Sequence, residues 1–244
     1  MKWPIVISSL LILGIGCKPP LQLKDVQVQW TGIQGLPEDS AVAGLQALYG
    51  RKVDSLMKEV VGHTSLAMPK EKNQPETLLG NFVADLVLEQ AKAQDARVNF
   101  CLLNIGGLRN SLPAGPVTRG DIFQLMPFDN ELVLVEMKPE SMQAMVAYLV
   151  DQPIMPVSGL RLNVSTQELM IGQQPWQKDQ TYWVATSDFL AGGGDKMNFL
   201  THRPAVRTGR LLRDLIIQAF VSARDQGRTL GAALDGRISQ TKQP

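Results

Sequence analysis

Six side chains in three loops carry the groups that could do chemistry in this 244-residue chain. Asn104 and Arg109 flank Ile105-Gly106-Gly107-Leu108, Phe128 and Asn130 sit in Pro127-Phe128-Asp129-Asn130, and Phe189 and Asp195 bracket a run of three glycines, Gly192 to Gly194. Two aromatic rings can sandwich a flat base, and an asparagine amide can read its polar edge. A carboxylate offers acceptors to ribose hydroxyls, and a guanidinium grips phosphate through a planar fork. Taken singly, each residue also reads as a turn residue, a core phenylalanine or a solvated charge. Taken together, they describe a nucleotide site. The glycine run is not a phosphate-cradling loop, because it continues Gly194-Asp195-Lys196-Met197 where such a loop needs Gly-Lys-Ser/Thr.

The elements that must hold these loops follow from periodicity. Asp39-Ser40 caps a helix from Ala41 to Lys58, with Leu45, Leu48, Val53 and Leu56 expected inward. A strand over Glu59 to Leu66 precedes a polar loop, and a helix over Glu76 to Gln94 places Leu79, Phe82, Val83, Leu86, Val87 and Ala91 on one face. Val98 to Leu103 reads as a buried strand delivering Asn104. Thr118 to Asp121 opens a short helix that stops at Pro127, and Leu132 to Met137 is a strand. Pro139 starts a third long helix, Gly159–Val164 and Glu168–Ile171 pair, and Tyr182 to Ala185 is the strand leading to Phe189. The last helix runs from Gly209 to Arg224. Helices and strands alternate without the rhythm of a doubly wound sheet, so the fold class is α/β of the mixed α+β kind, a layered sheet with helices packed on its faces.

The ends and the charge narrow the setting. Lys2, an apolar run from Ile5 to Ile15 and small residues before Cys17 fit a secretory signal over residues 1–16. The run is shorter than the roughly 20 residues of a membrane span. Gly16-Cys17 resembles a bacterial lipobox in which Cys17 is acylated; an ordinary cleaved signal with Cys17 incidental is the alternative. Residues 17–38 read as a tether and residues 39–244 as the folded domain, exported to the bacterial cell envelope as a periplasmic or surface lipoprotein. The formal charge is +1 and falls to 0 without Lys2, which leaves no basic footprint for a nucleic acid polymer. With Cys17 lipidated, Cys101 is the one remaining thiol and no disulfide framework exists.

Glu76-Thr77-Leu78-Leu79-Gly80-Asn81, Asn104 to Arg109, Gly120-Asp121 with Pro127 to Asn130, and Asp188 to Asp195 resemble, in order, the C-terminal domain of 5'-nucleotidases. Asp235-Gly236-Arg237-Ile238 is similar to that family's closing strand, so the resemblance runs from Val60 to Ile238. It implies that Phe128 and Phe189 stack on the base, Asn104 sits near its edge, Asp195 binds the ribose, Arg109 binds the phosphate and Asn130 supports the pocket. The sequence departs from the pattern twice. The arginine usual ahead of Glu76 is missing and the loop offers only Lys70 and Lys72, without a bidentate fork. Lys196 and Met197 replace the usual glycine and aromatic after Asp195.

The family's N-terminal half resembles calcineurin-like phosphoesterases, in which two metal ions activate water through Asp, Asn and His motifs. Those motifs are absent from this sequence, whose two histidines, His63 and His202, lie in a strand and an Arg-rich turn. The expectation is a domain with no cofactor of its own that recognises a nucleoside monophosphate or nucleoside. The divalent metals would then sit on a separate metallophosphoesterase chain. A lipid-anchored binding module or scaffold without turnover is the alternative.

Overall fold

The structure, a computed structural model, describes residues 39–71 and 73–240 together with Gln29 and Gly32. The expected signal, Cys17, almost all of the tether and Lys72 lie outside the described residues. The chain divides into a unit of residues 1–43 and a unit of residues 44–244. In the first, the Asp39 carboxylate accepts from the Ala41 N–H at 2.9 Å, as an N-cap does.

The elements in chain order are α1 (Ser40–Met57), β1 (Val60–Thr64), α2 (Leu78–Gln94), β2 (Val98–Leu102), β3 (Gly115–Thr118), α3 (Arg119–Leu125), β4 (Glu131–Met137), α4 (Pro139–Asp151), β5 (Val157–Ser158), β6 (Leu160–Asn163), β7 (Glu168–Ile171), β8 (Gln174–Pro175), β9 (Tyr182–Ser187), α5 (Asp188–Ala191), β10 (Ala205–Leu211), α6 (Leu212–Asp225) and β11 (Ile238–Ser239). Five strands form the central sheet in the order β10-β4-β9-β2-β5. Within it β2 and β9 run parallel and the other neighbours antiparallel. A smaller sheet, β11-β6-β7-β8, and the β1-β3 pair stand beside it.

Both faces of the sheet's inner strands, β4, β9 and β2, are covered, which is why these strands read as near-continuous apolar runs. Along β4, Leu132 and Leu134 join one core while Val133, Val135 and Met137 join the other. The first core is closed by α2, α3 and α6, where the Phe82 and Phe220 rings meet edge-on at 5.7 Å. The second is closed by α4, through Met142, Met145 and Leu149, and by the β6–β7 hairpin. Each large side chain fully buried in these layers contributes about 1.5–3 kcal/mol. Local chemistry sets the helix starts: the Gly80 N–H bonds to the Thr77 hydroxyl at 3.0 Å, and Thr118 and Asp121 form a reciprocal capping box at α3.

Two expectations are corrected. Leu45, Leu48, Val53 and Leu56 are exposed, Leu48 to 66%, and no residue of α1 is buried. Their spacing defines a face, but a face is buried only where another element covers it. The last helix starts at Leu212 rather than Gly209, because residues 205–211 form β10 and pair with β4, Val206 opposite Leu134. On α2, the half-exposed Asp85 binds Arg237 through both oxygens at 2.6 and 3.1 Å and accepts from the Ser158 hydroxyl.

Arg237 also reaches Asp235 at 3.0 Å and the Val157 carbonyl at 2.9 Å. The neighbouring Glu76 carboxylate takes the Asn81 amide and the backbone N–H groups of Asp235 and Gly236. Residues 76–85 thereby tie the C-terminal segment to α2. These contacts account for Glu76 and Asn81 without any role in a ligand site.

Candidate functional site: a loop circuit at the sheet's end

The three loops expected to carry the site all leave the central sheet close together. Asn104 follows β2, Asn130 precedes β4, and Phe189 lies just past β9. Because Leu132 pairs with Ser187, the start of β4 and the end of β9 are adjacent. The Glu131 N–H donates to the Asp188 carboxylate at 3.1 Å, joining the Phe128 loop to the Phe189 turn.

The other contacts close a circuit. The Asn104 amide donates to Asp195 Oδ2 at 2.6 Å, across 91 residues of chain. Arg109 donates from Nη1 to the Gly106 carbonyl at 3.3 Å, folding back over the turn that begins at Asn104. Its guanidinium carbon lies 5.9 Å from the centre of the Phe128 ring, within cation–π range. From Phe128 the chain passes Asn130 to Glu131 and Asp188, and the Phe189 ring packs on Gly194, next to Asp195. All six candidate residues thus lie on one closed ring of contacts.

The circuit presents its chemistry outward. Phe128 and Phe189 are 49% and 48% exposed, large apolar rings left half in solvent. Arg109 is exposed, Asn104 is buried and Asn130 is half-buried. The Asn130 carbonyl anchors its loop by accepting from Leu212 N–H at 2.9 Å. With one Asp195 oxygen held by Asn104, the other is left for a hydroxyl donor. Lys70 joins this region through its backbone N–H, which donates to the Ser111 hydroxyl at 2.8 Å.

Backbone geometry explains the glycines. Gly193 has φ +93, and a side chain on Gly194 would overlap the Phe189 ring. Asp195 and Lys196 follow at φ 51 and 64, left-handed conformations that cost non-glycine residues energy. The strain presents Asp195 toward Asn104 while Met197 turns fully into the core.

Some contributors carried no sequence signal. Tyr148, off the apolar face of α4, donates its hydroxyl to the Asp195 carbonyl at 2.9 Å and packs on Phe199. Burial, then the Asp195 and Asp151 carboxylates, push that hydroxyl's pKa up, so it stays a donor. Arg207 pairs with Glu131 and lies 3.9 Å from Asp188. The Gly209 N–H, followed by Arg207, holds Glu131 below the usual carboxylate range. Arg213 on α6 binds the Phe128 loop from within. Long-range pairing creates these contacts, so no local spacing announces them.

Two other features lie apart from the circuit. A groove of about 1300 Å³ runs between α4 and the β6–β8 sheet, lined by residues such as Gln143, Arg161 and Trp176 and by none of the six. Among the described residues, no three His, Cys, Asp or Glu side chains stand together to hold a metal ion. His63 lies on β1, and His202 lies in a turn at φ 55. Burial pushes the pKa of the Cys101 thiol upward, away from the reactive thiolate.

Known proteins are similar to this chain in sequence and fold. Residues 60–202 match the family model described as 5'-nucleotidase, C-terminal domain. A 5'-nucleotidase of Vibrio cholerae is 25% identical over 186 residues, 71% of this chain and 33% of that protein. The endonuclease YhcR of Bacillus subtilis is 25% identical over 182 residues, 69% of this chain and 14% of its own length. The crystal structure of a 5'-nucleotidase precursor from Thermus thermophilus superposes with a TM-score of 0.69 at 27% identity, covering 85% of this chain and 44% of that one. The chain therefore spans a third or less of the curated relatives named here. The matched segment contains all six residues of the circuit, and the chain belongs to the 5'-nucleotidase C-terminal domain family.

Proposed function

We propose that this chain recognises a nucleoside monophosphate or nucleoside as the substrate-binding half of a 5'-nucleotidase, with hydrolysis carried out by metals on a separate metallophosphoesterase chain. The observation that carries the reading is the closed circuit. Two half-exposed phenylalanines, a paired Asn104 and Asp195, and an exposed Arg109 belong to one circuit, and they supply the groups that a base, a ribose and a phosphate require. The described residues do not fit a dimetal centre, since no three potential ligands stand together. No hydrolytic step is therefore assigned to them.

A second chain needs a surface to dock on. Helix α1 supports that role with Leu45, Leu48, Val53 and Leu56 exposed along one side, an apolar stripe of the kind that marks interaction sites. The stripe ends just before the matched segment at residue 60. Export under residues 1–16 and anchoring through Cys17 in the cell envelope belong to the same reading. No helix among the described residues is long and apolar enough to cross a membrane.

The test is a calorimetric titration of the mature chain with AMP and adenosine, paired with an assay of phosphate release in added divalent metal. Binding without turnover is expected. Turnover by a clean preparation would overturn the division of labour, and absence of binding to either ligand would overturn the recognition role.

A further inference from the structure

We infer that Arg213, a residue outside the six, is a positioning residue that fixes the Phe128 ring for stacking; this rests on the nucleotide-clamp reading above. Arg213 sits in the first turn of α6 and is only 7% exposed. Its guanidinium lies 4.2 Å from the centre of the Phe123 ring, so it stacks on the short helix that leads into the Phe128 loop. One end of the fork reaches the carbonyls of Met126 and Pro127 at 3.4 and 3.5 Å. The other end pairs with the Asp129 carboxylate at 2.5 Å. These contacts fall on both sides of residue 128, holding the two peptides before it and the side chain after it.

Packing alone does not call for an arginine here. A buried charge costs several kcal/mol of desolvation, and apolar residues of similar volume commonly replace such groups with no loss of stability. The Nε atom is buried and has no hydrogen-bond partner among the described residues, so the fork is not fully satisfied by them. A leucine or methionine would fill the same space, but neither could grip two carbonyls and a carboxylate around one exposed ring. Phe128 contributes to a clamp only if its ring stays in place while 49% of its surface faces water. The neighbouring anchor, Leu212 N–H to the Asn130 carbonyl, restrains the loop downstream. Without Arg213 the peptides immediately before Phe128 lose this hold, and the ring samples positions that do not meet a base. The function of Arg213 is thus exerted through Phe128, without contact with the ligand.

A double-mutant cycle tests this on the mature chain, reading AMP affinity by calorimetry for the parent, Arg213→Ala, Phe128→Ala and the double variant. Phe128→Ala is expected to weaken binding roughly 5- to 100-fold, the span of base–aromatic stacking. Arg213→Ala is expected to weaken it by roughly 5-fold or more when Phe128 is present, and by less than about 2-fold when Phe128 is already alanine. Asp129→Asn repeats the comparison on an exposed residue without opening the core, and its smaller loss should likewise vanish in the Phe128→Ala background. A loss of equal size in both backgrounds would mean a general structural role, and no loss from either substitution would also overturn the inference. If Phe128→Ala itself leaves affinity unchanged while the parent binds AMP, the stacking role of Phe128 fails and the inference fails with it.

Discussion

The Asn104 side-chain amide donates to Asp195 Oδ2 at 2.6 Å, linking the loop after β2 to the strained turn after β9. The bond fixes the Asn104 amide with its oxygen turned away from Asp195, and it leaves one carboxylate oxygen of Asp195 for another donor. It also offsets part of the cost of holding Asp195 at φ 51. The pair thus behaves as one preorganised unit, with one hydrogen bond already made before a ligand arrives.

The first expectation follows from that coupling. Asp195→Ala should weaken nucleoside binding, and Asn104→Ala should weaken it as well, but the double variant should lose less than the sum. Calorimetry with adenosine and with 2',3'-dideoxyadenosine separates the roles. If Asp195 holds the ribose, the parent should favour adenosine and Asp195→Ala should favour neither. An unchanged preference in the variant would remove Asp195 from the ribose.

Arg109 is exposed and, among the described residues, holds only the Gly106 carbonyl, at 3.3 Å, and the Phe128 ring at the edge of cation–π range. Its fork therefore has donors to spare for a phosphate. Arg109→Ala should cost AMP about 1.5–3 kcal/mol, the worth of hydrogen bonds to charged groups, while adenosine loses much less. Equal losses for the two ligands would assign Arg109 to loop structure.

Lys196 occupies a left-handed backbone position at φ 64, where a glycine meets no steric penalty. Lys196→Gly should therefore raise stability by about 0.5–1 kcal/mol, the relieved strain less the added freedom of the unfolded chain. At roughly 2–4 °C per kcal/mol for a chain of this size, thermal melting would register the gain. A fall in melting temperature would mean that contacts of the lysine side chain outweigh its backbone strain.

The sheet and its helices were legible because burial on both faces writes apolar runs and 3.6-residue spacing directly into the sequence. Leu132 to Met137 and Leu79 to Ala91 are the plainest cases. The three loops that the structure brings together were legible, since glycine and proline mark the turns that form them. β10 was not, because an edge strand rich in exposed arginine has neither an apolar run nor an amphipathic face. Helix α1 failed in the opposite sense: its face is real, but periodicity does not say whether anything covers it. Arg213, Tyr148 and the Asp85–Arg237 pair depend on chain segments more than 45 residues apart meeting in space, and no local pattern encodes that.

The Asp235–Arg237 contact gives a pH expectation. Burial pushes the Asp235 carboxyl up, but the Arg237 hydrogen bond and charge, helped by Arg161, outweigh it and leave its pKa below 3.8. A carboxylate with a depressed folded-state pKa contributes stability that is complete above its unfolded value and is lost as pH falls through the folded one. The stability gap between the parent and Asp235→Asn should therefore be full at neutral pH and shrink on acidification below 3.8. Urea unfolding of both proteins across that range measures it. The opposite slope, a gap that widens in acid, would mean that the carboxylate is destabilised by burial more than Arg237 supports it. The C-terminal segment would then be held to α2 chiefly through Asp85 and Glu76.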